Sequence, residues 1–166
     1  MNRSLMLSAA ASLTVALAAS LAAILPTRAG TPAPAITFPA LTTIYVGSGV
    51  YDNGGSAFEG IATSVHCTNV SGQAATFRVA FLSNAGVVIN STTPVAMLHG
   101  VSLTVSTHAT AYDQEASFSG AMQGSVNIEA TQSGVFCTGA VIDALNPNEG
   151  FALNLVRVNP HPGTAE

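Results

Sequence analysis

The chain has no lysine and no tryptophan, and only 4 of its 166 residues are cationic. A protein that grips phosphate backbones needs clustered Lys or Arg to displace counterions. Nucleic acid and anionic membrane surfaces are therefore not expected as partners. Cysteine is scarce as well, with 2 in the whole chain. They form no Cys-x-x-Cys pair, and no histidines stand in His-x-His or His-x-x-x-His spacing, so no compact ligand set for zinc or copper is written into the sequence. The Gly-x-Ser-x-Gly elbow, the His-Glu-x-x-His helix and the phosphate loop are all missing. No motif names a reaction, and the expectation is a protein that is not an enzyme and needs no cofactor.

One long uncharged run exists, at the N-terminus. Arg3 precedes Leu5 to Leu25, and Pro26 closes the run. Small residues follow at two processing points, Thr27-Arg28-Ala29 ahead of Gly30 and Ala33-Pro34-Ala35 ahead of Ile36. A basic start, an apolar stretch and small residues at the cut predict a secretory signal peptide over 1–29, or 1–35 if the second point is used. No second apolar run follows, so a polytopic membrane protein is not expected, and after cleavage no membrane attachment is. Residues 30–40, with three prolines, read as an extended leader, and 159–166 as a flexible tail. The expected location is secreted, periplasmic or cell-surface.

The body of the chain, 41–158, reads as one domain. It retains two arginines, Arg78 and Arg157, and is rich in Ser, Thr, Asn and Gly between short β-branched runs. Strands are expected over 41–46, 58–68, 74–82, 87–91, 101–105, 126–130, 135–141 and 151–158, with turns about every eight to twelve residues. Gly47-Ser48-Gly49 reads as the end of the first strand. Within 58–68, Ile61, Thr63, Val65 and Cys67 share one face, and Ser64, His66 and Thr68 the other.

That phase bears on the adjacent pair His66-Cys67. Neighbouring strand residues point to opposite faces, so this pair does not converge on a metal or act as base and thiol. Cys137 has the same inward phase, with Val135 and Val141. Two inward cysteines in an exported chain predict a Cys67–Cys137 disulfide. Their placement on the second and penultimate candidate strands resembles immunoglobulin-like domains, in which such a bridge spans two sheets. Phe81 falls where the core tryptophan of that family packs, and Val135 where its corner tyrosine would be. The resemblance implies an all-β, immunoglobulin-like antiparallel β-sandwich of about seven to nine strands with an inter-sheet disulfide.

The remaining candidates are dispersed. Met97, His99, His108 and Met122 are soft or borderline ligands and support an alternative reading as a periplasmic copper-handling protein. Against it, His66 and His108 read as exposed strand residues, His99 as a turn residue, and Met97 and Met122 as core fillers. Asp52, Glu59, Asp113 and Glu115 could pair as acid and base, but read as solvated loop carboxylates. Asp52-Asn53-Gly54-Gly55 with Glu59 lacks the ligand density of a calcium loop. Asn69 and Asn90 begin glycosylation sequons. The preferred expectation is an exported, non-enzymatic interaction or structural module. Its partner is a protein or glycan, and self-association through edge strands is open to it.

Overall fold

In the computed structural model, residues 37–112, 115–118 and 122–158 are described. The expected signal peptide, most of the leader, Asp113 and the tail at 159–166 lie outside them. The described chain is all β. Its strands are β1 (Thr37–Asp52), β2 (Ile61–Asn69), β3 (Ala75–Ser83), β4 (Val88–Ser91), β5 (Val95–Met97), β6 (Ser102–Ser106), β7 (Glu115–Ser117), β8 (Met122–Gln132), β9 (Val135–Asp143), β10 (Gly150–Leu153) and β11 (Leu155–Arg157). One sheet has the order β11-β1-β8-β3-β4, with β5 also on β3; the other is β10-β9-β2-β6-β7. Eleven strands exceed the expected number because several are only three or four residues long. All pairings are antiparallel except β6–β7, which is parallel.

Alternation builds the core between the sheets. Phe77, Val79 and Phe81 of β3 stand beside their register partners Ala130, Ile128 and Val126 of β8, all at most 1% exposed. Each large apolar side chain buried this way contributes about 1.5–3 kcal/mol. Phe118 meets Phe81 edge to face at 6.0 Å.

Three expectations need correction. The Gly47-Ser48-Gly49 stretch does not end β1. Gly49 takes φ 86°, the pairing with β8 shifts register there, and the strand runs on to Asp52. A glycine-supported bulge absorbs the extra residue that would otherwise stop the ladder. The single last strand is two: the chain leaves one sheet after Leu153 and enters the other at Leu155. The third concerns the cystine. Cys67 and Cys137 are bonded, with S–S 2.05 Å, but they are register partners on neighbouring strands β2 and β9 of one sheet. The bridge is therefore within a sheet, not between sheets. Both arrangements place the cysteines inward, so strand phase alone does not distinguish them. The start of β1, within the Pro-rich leader, pairs with β8 of its own sheet.

Candidate interaction surface

Strand direction divides the sandwich into two ends. Asp52, Ile61, Ser106, Met122 and Asp143 mark one; Asn69, Ala75, Ser102, Gln132 and Val135 mark the other. Asp52, Glu59, His108, Glu115, Asp143 and Glu149 lie toward the first.

The organising contact there is His108 with Asp52. His108 Nδ1 lies 2.7 Å from Asp52 Oδ2, and Nε2 lies 2.9 Å from the Glu59 carbonyl oxygen. A carbonyl only accepts, so Nε2 donates to Glu59, and Nδ1 bonds the Asp52 carboxyl group. The second Asp52 oxygen accepts the Gly54 N–H at 2.7 Å. Both side chains are almost wholly buried, at 5% and 0% exposure. His108 and Asp52 were expected on the surface. They are inside because segment 107–112 folds back over the sheet end, and each buried polar atom finds a partner.

A second cluster holds that segment down. Ser64 and Ser106 hydroxyls are 2.5 Å apart across β2 and β6. Ser106 donates to Glu115 Oε2 at 2.7 Å, and Thr110 donates to the same oxygen at 2.8 Å. The Thr110 N–H donates to Glu115 Oε1. Thr107 Oγ1 accepts the Thr63 N–H at 2.9 Å, and Thr63 Oγ1 donates to the Tyr51 carbonyl at 2.8 Å. Ser64 and Ser106 are fully buried, whereas Glu115 at the end of this hydroxyl–carboxylate chain is half-buried. It ties β7 and the 107–112 segment to the sheet.

His66 lies beside this cluster, on the outward side expected for it, but half-buried. Its Nδ1 pairs with Thr104 Oγ1 at 3.0 Å, and Tyr112 packs on its ring edge to face at 4.6 Å. Burial lowers its pKa below the ordinary 6.5, against an opposing pull from the Glu115 carboxylate.

The buried network supports loop 53–60. Asn53 Oδ1 accepts the Ile61 N–H at 2.7 Å. Gly60 adopts φ 76°, and a Cβ there would meet Asn53 Oδ1 at 2.5 Å. Phe58, at φ 68°, is the sole non-glycine residue with positive φ among those described, and its N–H donates to the Ala109 carbonyl at 2.9 Å. An aromatic residue in this region is a genuine outlier, costing about 1–2 kcal/mol. The residue is nonetheless 50% exposed. The neighbouring loop 144–149 joins through Ala144 N–H to Gly60 O and Ala111 N–H to Ala144 O, both 2.8 Å, and presents Leu145 at 68% exposure. Phe58, Ile61 and Leu145 are thus exposed apolar residues on loops and strand ends that are bonded to one another through the backbone.

The four copper candidates are not brought together. Met97 is opposite Ala75, and His99 Nδ1 accepts the Gly72 N–H at 3.1 Å, both at the Asn69 end. Met122 pairs with Asp52 at the other end, close to His108. The length of β8 separates the two pairs, about 30 Å at strand rise. Met97 and Met122 are core residues, as expected. His108 has both nitrogens engaged, and no cluster of three or more His, Cys, Asp or Glu side chains that could hold a metal occurs among the described residues. The Asp52 carboxylate, one of the calcium candidates, is taken up by Gly54 and His108. Asn69 is fully buried with its amide bonded on both sides, so the folded chain does not offer it for glycosylation.

Phe58 was expected to open the strand over 58–68, and nothing in its flanking composition marks it as a displayed loop residue. The glycines at 54 and 55 signalled a turn, whereas 58–60 were expected in the strand that begins only at Ile61. No protein-family model matches the chain, and no curated protein or solved structure does.

Proposed function

We propose that this chain is an exported, non-enzymatic interaction or structural module of the cell envelope or extracellular space. It binds a protein or glycan partner through the Phe58 end of the sandwich. The observation that carries this reading is Phe58 itself: an exposed aromatic residue held at an unfavourable φ by a loop anchored on a buried Asp52–His108 pair. Strained positions persist where surrounding structure over-determines them, and they concentrate at functional sites. A rigid aromatic group loses little entropy on binding, which suits it to anchor an interface. The disulfide is compatible with an oxidising compartment outside the cytosol. Among the described residues no helix is long and apolar enough to cross a membrane.

The test is chemical cross-linking in the native host with the mature chain as bait, beside Phe58→Ser and Leu145→Ser. Circular dichroism and thermal melts confirm that the variants fold. Cross-linked material present with the parent chain and lost in both variants supports the reading. Cross-linking that is unaltered by either substitution contradicts it.

A further inference from the structure

Among the described residues both arginines lie toward one end and five of the six carboxylates toward the other, and the division points to the chemistry of the partner. Glu59 adjoins Phe58 in the chain. Asp143 is the register partner of Ile61, and its Oδ1 accepts the Leu145 N–H at 3.0 Å. Glu149 Oε1 accepts from Asn146 Nδ2 at 2.7 Å in the same loop as Leu145. Three carboxylates therefore share the loops and strand ends of the three exposed apolar residues, and none of the three is in an ion pair among the described residues. Arg78 and Arg157 lie toward the opposite end. Arg78 is bonded to Glu129 at 2.5 Å. Arg157 donates to the Tyr45 hydroxyl at 3.1 Å and stacks over the Tyr45 and Phe136 rings. His108, beside Phe58's loop, is buried and committed to Asp52.

We infer that the Phe58 end is a docking face for a cationic protein segment: an apolar anchor flanked by Lys or Arg. This rests on the interaction-module reading above and names the class of partner. The Phe58, Ile61 and Leu145 side chains would cover the anchor, and Glu59, Asp143 and Glu149 would meet its flanking charges. A rim of one sign steers a partner of the opposite sign and repels its own. An anionic lipid surface meets three repelling carboxylates here, and a neutral glycan makes no use of them.

A displayed random-peptide library, selected on the immobilised mature chain, tests the inference. Two variants are selected in parallel: Phe58→Ser, and Glu59→Gln/Asp143→Asn/Glu149→Gln, whose side-chain oxygens can still accept the loop hydrogen bonds. Melting curves establish that both are folded. The parent chain is expected to enrich peptides with Lys or Arg beside an aromatic or aliphatic residue. The triple variant should bind these peptides about tenfold more weakly and lose their salt dependence, and Phe58→Ser should lose the enrichment. Neutral or acidic peptides that depend on Phe58 would overturn the cationic partner and leave the Phe58 surface standing. Enrichment indifferent to Phe58→Ser, or no enrichment, would overturn both.

Discussion

At the Asn69 end of the sandwich a neutral amide closes the turns, whereas at the His108 end an imidazole and a carboxylate do. Asn69 Nδ2 donates to the carbonyls of Gln73 and Met97, each at 2.7 Å, and Oδ1 accepts the Ser71 N–H at 3.0 Å. Its backbone bonds Val101 and Gly100, which ties the 98–101 turn to β2. One uncharged side chain thus serves two turns. At the other end, Asp52 and His108 together bond Gly54 and Glu59 and so fix loop 53–60. Both solutions satisfy buried backbone groups. Charge-assisted bonds are stronger than neutral ones, but leave a larger penalty when one partner is removed. The end held by the Asp52–His108 pair is also the end that presents Phe58.

Removing His108 should break the comparison most severely. His108→Ala leaves the Asp52 carboxylate buried without its partner, at a cost of about 3–5 kcal/mol. Urea denaturation would show it as a lowered midpoint. Next is the cystine, which lies nearer the Asn69 end. Cys67→Ala/Cys137→Ala opens a loop spanning 70 residues and should cost about 2–4 kcal/mol by the same measurement. Asn69→Ala orphans buried carbonyls and an N–H, for about 1–3 kcal/mol. Hydrogen exchange should then rise at Ser71 and Gly100, with Gly54 and Phe58 unchanged.

The next effect depends on pH. Burial lowers the His66 pKa below its ordinary 6.5 in the folded chain. The unfolded chain therefore binds that proton more readily, so this contribution is fully present above 6.5 and is lost as pH falls toward the folded value. Urea midpoints taken from about pH 7 to 5 should fall less steeply in His66→Gln than in the parent chain. Equal slopes would mean that His66 is not the group responsible. The smallest expected effect is at the loop tip. Phe58→Asn places a residue that tolerates positive φ where an aromatic one is strained. Thermal melting should show stability unchanged or raised, by at most about 1 kcal/mol, while partner binding is lost.

Strand alternation made β3 and β8 legible, because one face of each meets the core and the other is outward: Phe77, Val79, Phe81, Val126, Ile128 and Ala130 are all inward as expected. The cystine was legible as a pair for the same reason. Its place within one sheet was not, because phase records which way a side chain points and not which strand lies alongside. In β2 the pattern fails at the His108 end, where Ala62, Thr63, Ser64 and Val65 are all buried. There the 107–112 segment and β7 cover the outer face, and no local periodicity announces that cover. The Asp52–His108 contact joins residues 56 apart. The sequence displayed each as an ordinary polar residue, and only the closing of the sheets makes them partners.

Amide hydrogen exchange on His108→Gln beside the parent chain tests most directly whether this pair holds the Phe58 loop. In the parent chain the Gly54, Phe58 and Ile61 amides, bonded to Asp52, Ala109 and Asn53, should be protected. In the variant all three should exchange faster while Asn69, Ser71 and Gly100 keep their protection. Unchanged protection of Gly54 and Phe58 in a folded His108→Gln chain would contradict the account.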